Sequence, residues 1–209
     1  MIPGSSSVPM PWLPDDLDVV QTRTDAALLD ACASLIGQFG ERNLTIDQVA
    51  ERAGRSRMTV FRRFGTREDL ITATYRRELR RVVQGTITAA EGTTDLVDRA
   101  ELIVSYFVDS AFQHPVSVAL LKGEPDAVVN VLRGGPDFSA QQWAVELFAA
   151  LLADSALDAP LARPEAEFVG GLLMRIIVSL LLLPEPAIDE SRAARRSYIR
   201  RVAERVVGP

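Results

Sequence analysis

Residues 45–64 read TIDQVAERAGRSRMTVFRRF, and this stretch constrains the chain more than any other. It describes two short helices joined by a tight turn. Thr45 is a candidate N-cap, and Gln48 three positions later completes a capping box. Leu44 and Val49 flank the cap at the spacing of a hydrophobic staple. Ala50 is small where the second helix must approach. Gly54 falls in the turn, where a positive φ costs little only for Gly. Ser56 can cap the next helix, RMTVFRR, and Val60 and Phe64 then point back into a small core. This is the plan of a helix-turn-helix, whose second helix is built to enter a DNA major groove.

An ordinary helical hairpin shows the same caps and turn, so charge has to separate the two readings. Arg55, Arg57, Arg62, Arg63 and Arg67 lie on or beside the second helix, and no acid occurs between Arg52 and Glu68. A hairpin that only packs has no use for that run. The net charge of the whole chain is −5, which by itself argues against nucleic acid. Its distribution reverses the argument. Residues 41–81 hold eleven Arg against six acids, a local balance of +5, so the remainder carries −10. A basic segment on an acidic body is a local electrostatic footprint.

The other classes find little support. The chain has one His, no Gly-x-Ser-x-Gly elbow, no Walker loop and no His-Glu-x-x-His, so no catalytic residue, metal site or cofactor is expected. Cys32 is the sole cysteine, which excludes a disulfide within one chain. Its apolar helical surroundings mark it as a buried small hydrophobe. The N-terminus lacks the basic and apolar regions of a secretory signal, and the longest apolar stretch, residues 168–183, is interrupted by Arg175. A cytoplasmic protein without a membrane partner is expected. Two alternatives stay open: a helical-bundle carrier of apolar ligands and a carboxylate-dependent enzyme.

Periodicity predicts an all-α chain. Residues 1–20, with Trp12, read as a flexible tail. A helix is expected from Thr24 to Phe39, with Leu28, Cys32, Leu35, Ile36 and Phe39 on its buried stripe and Gly40 as its stop. Thr66 and Asp69 form another capping box, opening a long helix over 67–88 whose stripe is Leu70, Tyr75, Leu79, Val82 and Thr86. Helical patterns follow at about 95–113, 115–122, 125–132, 138–154, 163–183 and 189–206, punctuated by prolines. The chain therefore reads as a three-helix head, a connecting helix and a C-terminal bundle.

The run Thr45-Ile46, Val49-Ala50, Ala53-Gly54, Ser56, Thr59-Val60-Phe61 and Phe64-Gly65-Thr66-Arg67-Glu68-Asp69-Leu70 resembles the TetR-type (tetracycline repressor-like) transcriptional regulators. The resemblance covers about residues 24–75. It departs from the family at Phe61, where Tyr is usual, and at Arg55, where a small apolar residue commonly packs. Arg63 stands for a common His and Arg67 for a common Lys. The resemblance implies a homodimeric repressor that releases double-stranded operator DNA when a small-molecule effector binds. Residues 21–70 would be the DNA-binding domain and residues 71–209 the ligand-binding and dimerisation domain, joined by helix 67–88.

Base edges carry sequence and phosphates carry affinity. Arg57, Met58, Thr59 and Arg62 are the candidates for base edges, because Arg can bridge guanine O6 and N7 while Thr and Met can meet a thymine methyl. Thr45, Ser56, Phe61, Arg63, Thr66 and Arg67 are candidates for the DNA backbone. The head of Arg55 must snorkel to solvent or to DNA. For the threonine caps, capping alone is the competing reading. Arg52 is expected to pair with nearby acids. The apolar helices 138–154 and 163–183 are the expected dimer helices, through Trp143, Leu147, Leu151, Gly170, Gly171 and Leu172. Tyr106, Phe107, Phe112, His114, Met174 and Arg175 are candidate ligand contacts, Arg175 because a charge within an apolar helix needs a partner. The Arg-rich last helix reads as an acid-paired, solvated face rather than a second DNA site.

Overall fold

The computed structural model describes residues 22–123, 129 and 140–208. The expected tail with Trp12 and the helix expected at 125–132 lie outside the described residues. Among the described residues all regular structure is helical. In chain order the helices are α1 (Arg23–Phe39), a 3₁₀ turn (Glu41–Asn43), α2 (Ile46–Arg52), α3 (Arg57–Phe64), α4 (Arg67–Glu91), α5 (Leu96–Gln113), α6 (Pro115–Gly123), α7 (Ala140–Leu152), α8 (Arg163–Leu182), α9 (Pro186–Asp189) and α10 (Arg192–Val207). The chain divides into two compact units. One holds residues 22–86 and 106–123, the other residues 87–105 and 140–208.

In the first unit, α1 starts one residue earlier than expected because Thr22 caps it. The Thr22 Oγ1 accepts from the Asp25 N–H and Asp25 accepts from the Thr22 N–H, a capping box. Leu28, Leu29, Cys32, Leu35 and Ile36 of α1 form a core with Leu44, Val49 and Ala50, with Val60 of α3, with Leu70 and Ile71 of α4, and with Val116 of α6. Burial pushes the Cys32 thiol up, as suits a small core hydrophobe. Phe39 departs from the expected stripe. It is 51 % exposed and edges a hollow of about 220 Å³ with Ile36, Glu41, Tyr75 and Leu120.

The buried line of α4 also differs from the apolar stripe expected. Leu79 and Val82 are only half-buried, while Thr74, Arg77 and Glu78 are buried. Hydrogen bonding explains the exchange, since a buried polar group is tolerated when its partners are present. The Thr74 hydroxyl donates to the Leu70 carbonyl at 2.8 Å. The Glu78 carboxylate accepts from Arg77 Nε at 2.8 Å, from Arg81 at 3.1 Å and from His114 Nε2 at 2.8 Å. Arg77 in turn pairs with Asp30 of α1 at 2.9 Å and donates to the Ala26 carbonyl.

In the second unit, α7 and α8 pack face to face. Gly170 is the point of closest approach: a Cβ there would lie 3.0 Å from the Val145 carbonyl oxygen and 3.2 Å from the Ala149 nitrogen, both backbone atoms. A side chain would have to separate the helices. Arg99 of α5 is almost wholly buried and donates to the Leu151 carbonyl, Asp154 and the Thr93 carbonyl, tying α5 to the end of α7. The last helical segment is not continuous from 189. Ser191 caps a new helix at Arg192, after the short α9. Three of its arginines face acids: Arg195 lies 3.5 Å from Asp189, Arg196 reaches Glu101 at 2.7 Å, and Arg200 bonds Asp98, Glu101 and Glu204. The acid-paired reading holds for these three.

Candidate nucleic-acid interface

The hairpin is built as its sequence dictates. Thr45 caps α2, with its Oγ1 accepting from the Gln48 N–H at 3.3 Å and Gln48 Oε1 accepting from the Thr45 N–H at 2.9 Å. The chain turns at Gly54, whose φ is +61°. The Arg55 N–H closes the turn on the Ala50 carbonyl at 2.9 Å. Ser56 caps α3, accepting from the Thr59 N–H at 3.1 Å. Only Val60 of α3 is buried, with Phe64 half-buried behind it.

This leaves most of α3 in solvent. Arg57, Met58, Phe61, Arg62 and Arg63 are exposed, Met58 to 73 %. An exposed Met beside an exposed Phe gains nothing in a free surface helix, but suits contact with base edges or methyl groups. Thr59 is half-buried, and its hydroxyl meets that of Ser56 at 2.9 Å. Arg55 is exposed and donates to the Gly54 carbonyl.

The expected backbone contacts divide. Thr45 and Thr66 both spend their hydroxyls on caps, Thr66 donating to Asp69 at 2.6 Å and accepting from the Asp69 N–H at 3.0 Å. What these helix starts still offer an anion is the positive end of their dipoles. Arg63 lies 3.6 Å from Asp25 and keeps 38 % of its side chain exposed. Arg67 is turned inward. It donates to the Leu44 carbonyl at 2.8 Å and to the Glu41 carbonyl, bracing the connection between α1 and α2, and pairs with Glu68. Among the described residues Arg52 meets no acid, contrary to expectation, and donates instead to Ser34 and Gln38 of α1. Its neighbours on α1 are neutral, so it forms hydrogen bonds where an ion pair was expected. Asp47 was not singled out from sequence, yet its carboxylate lies 2.8 Å from Arg57. An acid ten residues before the helix start gave no local signal of this contact.

The expected ligand residues fall in both units. Tyr106, Phe107, Phe112 and His114 belong to the first, Met174 and Arg175 to the second. Tyr106 is 38 % exposed and lies across Gly85, Phe107 and Phe112 are half-buried, and Met174 is fully buried. His114 commits Nε2 to Glu78. Arg175 is not the buried charge expected: it is exposed and donates to the Gly171 carbonyl of its own helix. Neither the hollow of about 220 Å³ nor one of about 60 Å³ beside Ile176, Leu180, Ile188 and Tyr198 is lined by these six residues.

The expected dimer residues are also largely occupied. Trp143, Leu147, Leu151 and Gly170 are buried within the protomer, Gly170 directly against α7. Gly171 is buried without close backbone contact, and Leu172 is half-buried. What α8 leaves outward is another stripe, Phe168, Leu172 and Ile176, continued by Leu183 at its C-cap, with Phe168 63 % and Leu183 73 % exposed.

A capped two-helix hairpin presenting a cationic, otherwise unburied second helix is a helix-turn-helix DNA-binding head. Residues 28–74 match the family model described as bacterial regulatory proteins, tetR family. This head segment of the chain is therefore similar to that family. No curated protein matches the sequence. Among solved structures, the TetR family repressor AlkX from Dietzia sp. strain DQ12-45-1b is 21 % identical, with a TM-score of 0.58 over 87 % of this chain and 98 % of that one. A TetR-like regulator from Rhodococcus sp. RHA1 is 18 % identical, with a TM-score of 0.56 over 89 % and 97 %. The fatty acid degradation regulator FadR from Bacillus halodurans is 13 % identical, with a TM-score of 0.59 over 87 % and 94 %. These likenesses show a common all-helical fold that extends well beyond the head. No helix among the described residues is long and apolar enough to cross a membrane.

Proposed function

We propose that the chain is a ligand-responsive transcriptional regulator of the cytoplasm, a homodimeric repressor that leaves operator DNA when a mostly apolar small molecule binds. One observation carries the DNA half. In a chain of net charge −5, α3 buries a single residue and gives its surface to Arg57, Met58, Phe61, Arg62 and Arg63. In this reading residues 21–70 bind DNA, residues 71–209 sense and dimerise, helix 67–88 links the two functions, and no reaction is catalysed. The apolar character of the effector is supported by the relatives: AlkX is described as implicated in biodegradation of n-alkanes, and FadR as a regulator of fatty acid degradation.

The dimer seam in this reading is the outward stripe of α8, since the α7-facing side is already filled. Phe168→Arg would bury an unpaired ion in such a seam. Sedimentation of this variant is expected to show monomers, with unchanged helicity because Phe168 is exposed in the protomer. A well-behaved dimer would place the interface elsewhere.

Effector coupling is tested by a thermal-shift screen of n-alkanes and fatty acids, followed by operator titration with each hit. An effector acts only through its different affinities for the bound and released states, and such couplings are typically ~1–3 kcal/mol. Operator binding should therefore weaken roughly 5–150-fold, and operator DNA should weaken effector binding by the same factor. Hits that raise the melting temperature while leaving operator affinity unchanged would remove the sensing half of the proposal and leave the DNA half standing.

A further inference from the structure

Arg57 occupies the first position of α3, at the positive end of the helix dipole. Helix stability alone favours an acid there, not a cation. Its contacts are nonetheless specific. The Asp47 carboxylate of α2 bonds its NH1 group at 2.8 Å, and its guanidinium carbon lies 5.3 Å from the centre of the Phe61 ring one turn along. Both charged side chains are more than half exposed, at 61 % and 65 %, so the ion pair adds little to folding stability. Its effect is on posture. An exposed Arg has many rotamers, and a contact to a base must freeze one of them. Here a carboxylate at one edge and an aromatic face beneath hold the planar group before DNA arrives. Among the described residues its bond to Asp47 uses NH1, so the Nε and NH2 groups remain as N–H donors for a guanine, which takes two of them through O6 and N7.

From this geometry, and resting on the DNA-binding reading above, we propose that Asp47 is a specificity-determining residue that acts by positioning Arg57. The carboxylate does two things. It fixes the guanidinium for a base, and it places a negative charge beside the DNA. That charge is compensated when Arg57 is held in the reading posture, and repels phosphates when it is not. Specific binding is kept, while indiscriminate binding is penalised. An acid in the first turn of α2 also favours that helix through its dipole, and the test has to separate the two roles.

The wild-type protein is first used to select a duplex from a randomised pool. Affinities for that duplex and for a scrambled one are then measured for the wild type, Asp47→Asn, Asp47→Glu, Arg57→Ala and the double variant Asp47→Asn/Arg57→Ala, with a melting temperature for each. Asp47→Asn is expected to lower the selected-to-scrambled ratio about tenfold, partly through tighter binding of the scrambled duplex. Asp47→Glu, which keeps the charge, should recover most of the ratio. With Arg57 already replaced by Ala, Asp47→Asn should lower it no further. Equal losses in both backgrounds, or a ratio that Asp47→Asn leaves unchanged, would overturn the proposal while the DNA reading stands. A wild type that selects no sequence would overturn both.

Discussion

Glu78→Ala is expected to destabilise the helical head by about 3 kcal/mol, measured by denaturant unfolding. Glu78 is 4 % exposed and receives His114, Arg77 and Arg81, while Arg77 is itself buried and tied to Asp30. Removing the carboxylate leaves a buried guanidinium with half its partners and a histidine with none on that side. The same group makes stability depend on acid. Burial alone would raise its pKa. The hydrogen bonds from His114 and Arg77 and the charges of Arg77 and Arg81 outweigh burial and hold it at about 2, against an ordinary 4.5. A carboxyl depressed in the folded state stabilises fully above its unfolded value and loses that contribution as pH falls through its folded value. Stability should therefore decline between about pH 4.5 and pH 2, by about 3 kcal/mol from this group. Glu78→Gln should be weaker at neutral pH and should lack this part of the acid transition. A Gln variant that is as stable as the wild type and keeps the full acid decline would place the acid sensitivity in other carboxylates.

The local features of the head were legible because their information lies within four residues. Thr45 with Gln48, Ser56 before Arg57, and Thr66 with Asp69 are caps whose two halves sit in one turn, and each forms as written. The same pattern at Thr22 and Asp25 was readable too, and marks the true start of α1. Long-range partners were not. Thr74, Arg77 and Glu78 are buried because Leu70, Asp30 and His114 meet them, and the last two lie 36 or more positions away from Glu78 or Arg77 in the chain. No window around α4 contains those residues, so the apolar Leu79 and Val82 looked like the better stripe.

Arg175 and the α8 residues show a second kind of limit. A helix that is apolar nearly all round does not state which side meets its own chain. The protomer buries the side with Val169, Gly170, Leu173 and Ile177, Gly170 directly against α7, and Arg175 falls on the side left exposed. Likewise Trp143, Leu147 and Leu151 looked like interface residues because they are large and apolar, and the protomer itself consumes them. In α3, exposure of Arg57, Met58 and Arg62 followed directly from the one buried position at Val60. The inward turn of Arg67 depended on carbonyls 23 and 26 residues earlier.

Salt dependence of operator binding tests the central claim most directly, because in the proposed homodimer a cationic α3 in each subunit makes the affinity electrostatic. If each subunit neutralises about four phosphates, a dimer releases the counterions of about eight, and log K should fall against log salt with a slope of about −7. Between 50 and 200 mM salt that is a loss of roughly 10⁴-fold. Arg63 is the informative variant, since it is exposed and, among the described residues, its ion pair is a loose one with Asp25 at 3.6 Å. Arg63→Ala removes one contact per subunit, so it should weaken selected and scrambled duplexes alike and flatten the slope to about −5. A fluorescence-anisotropy titration of a selected duplex over this salt range gives both slopes. Slopes near these values support a two-headed electrostatic clamp; a complex whose affinity ignores salt, or whose slope Arg63→Ala leaves unmoved, contradicts it.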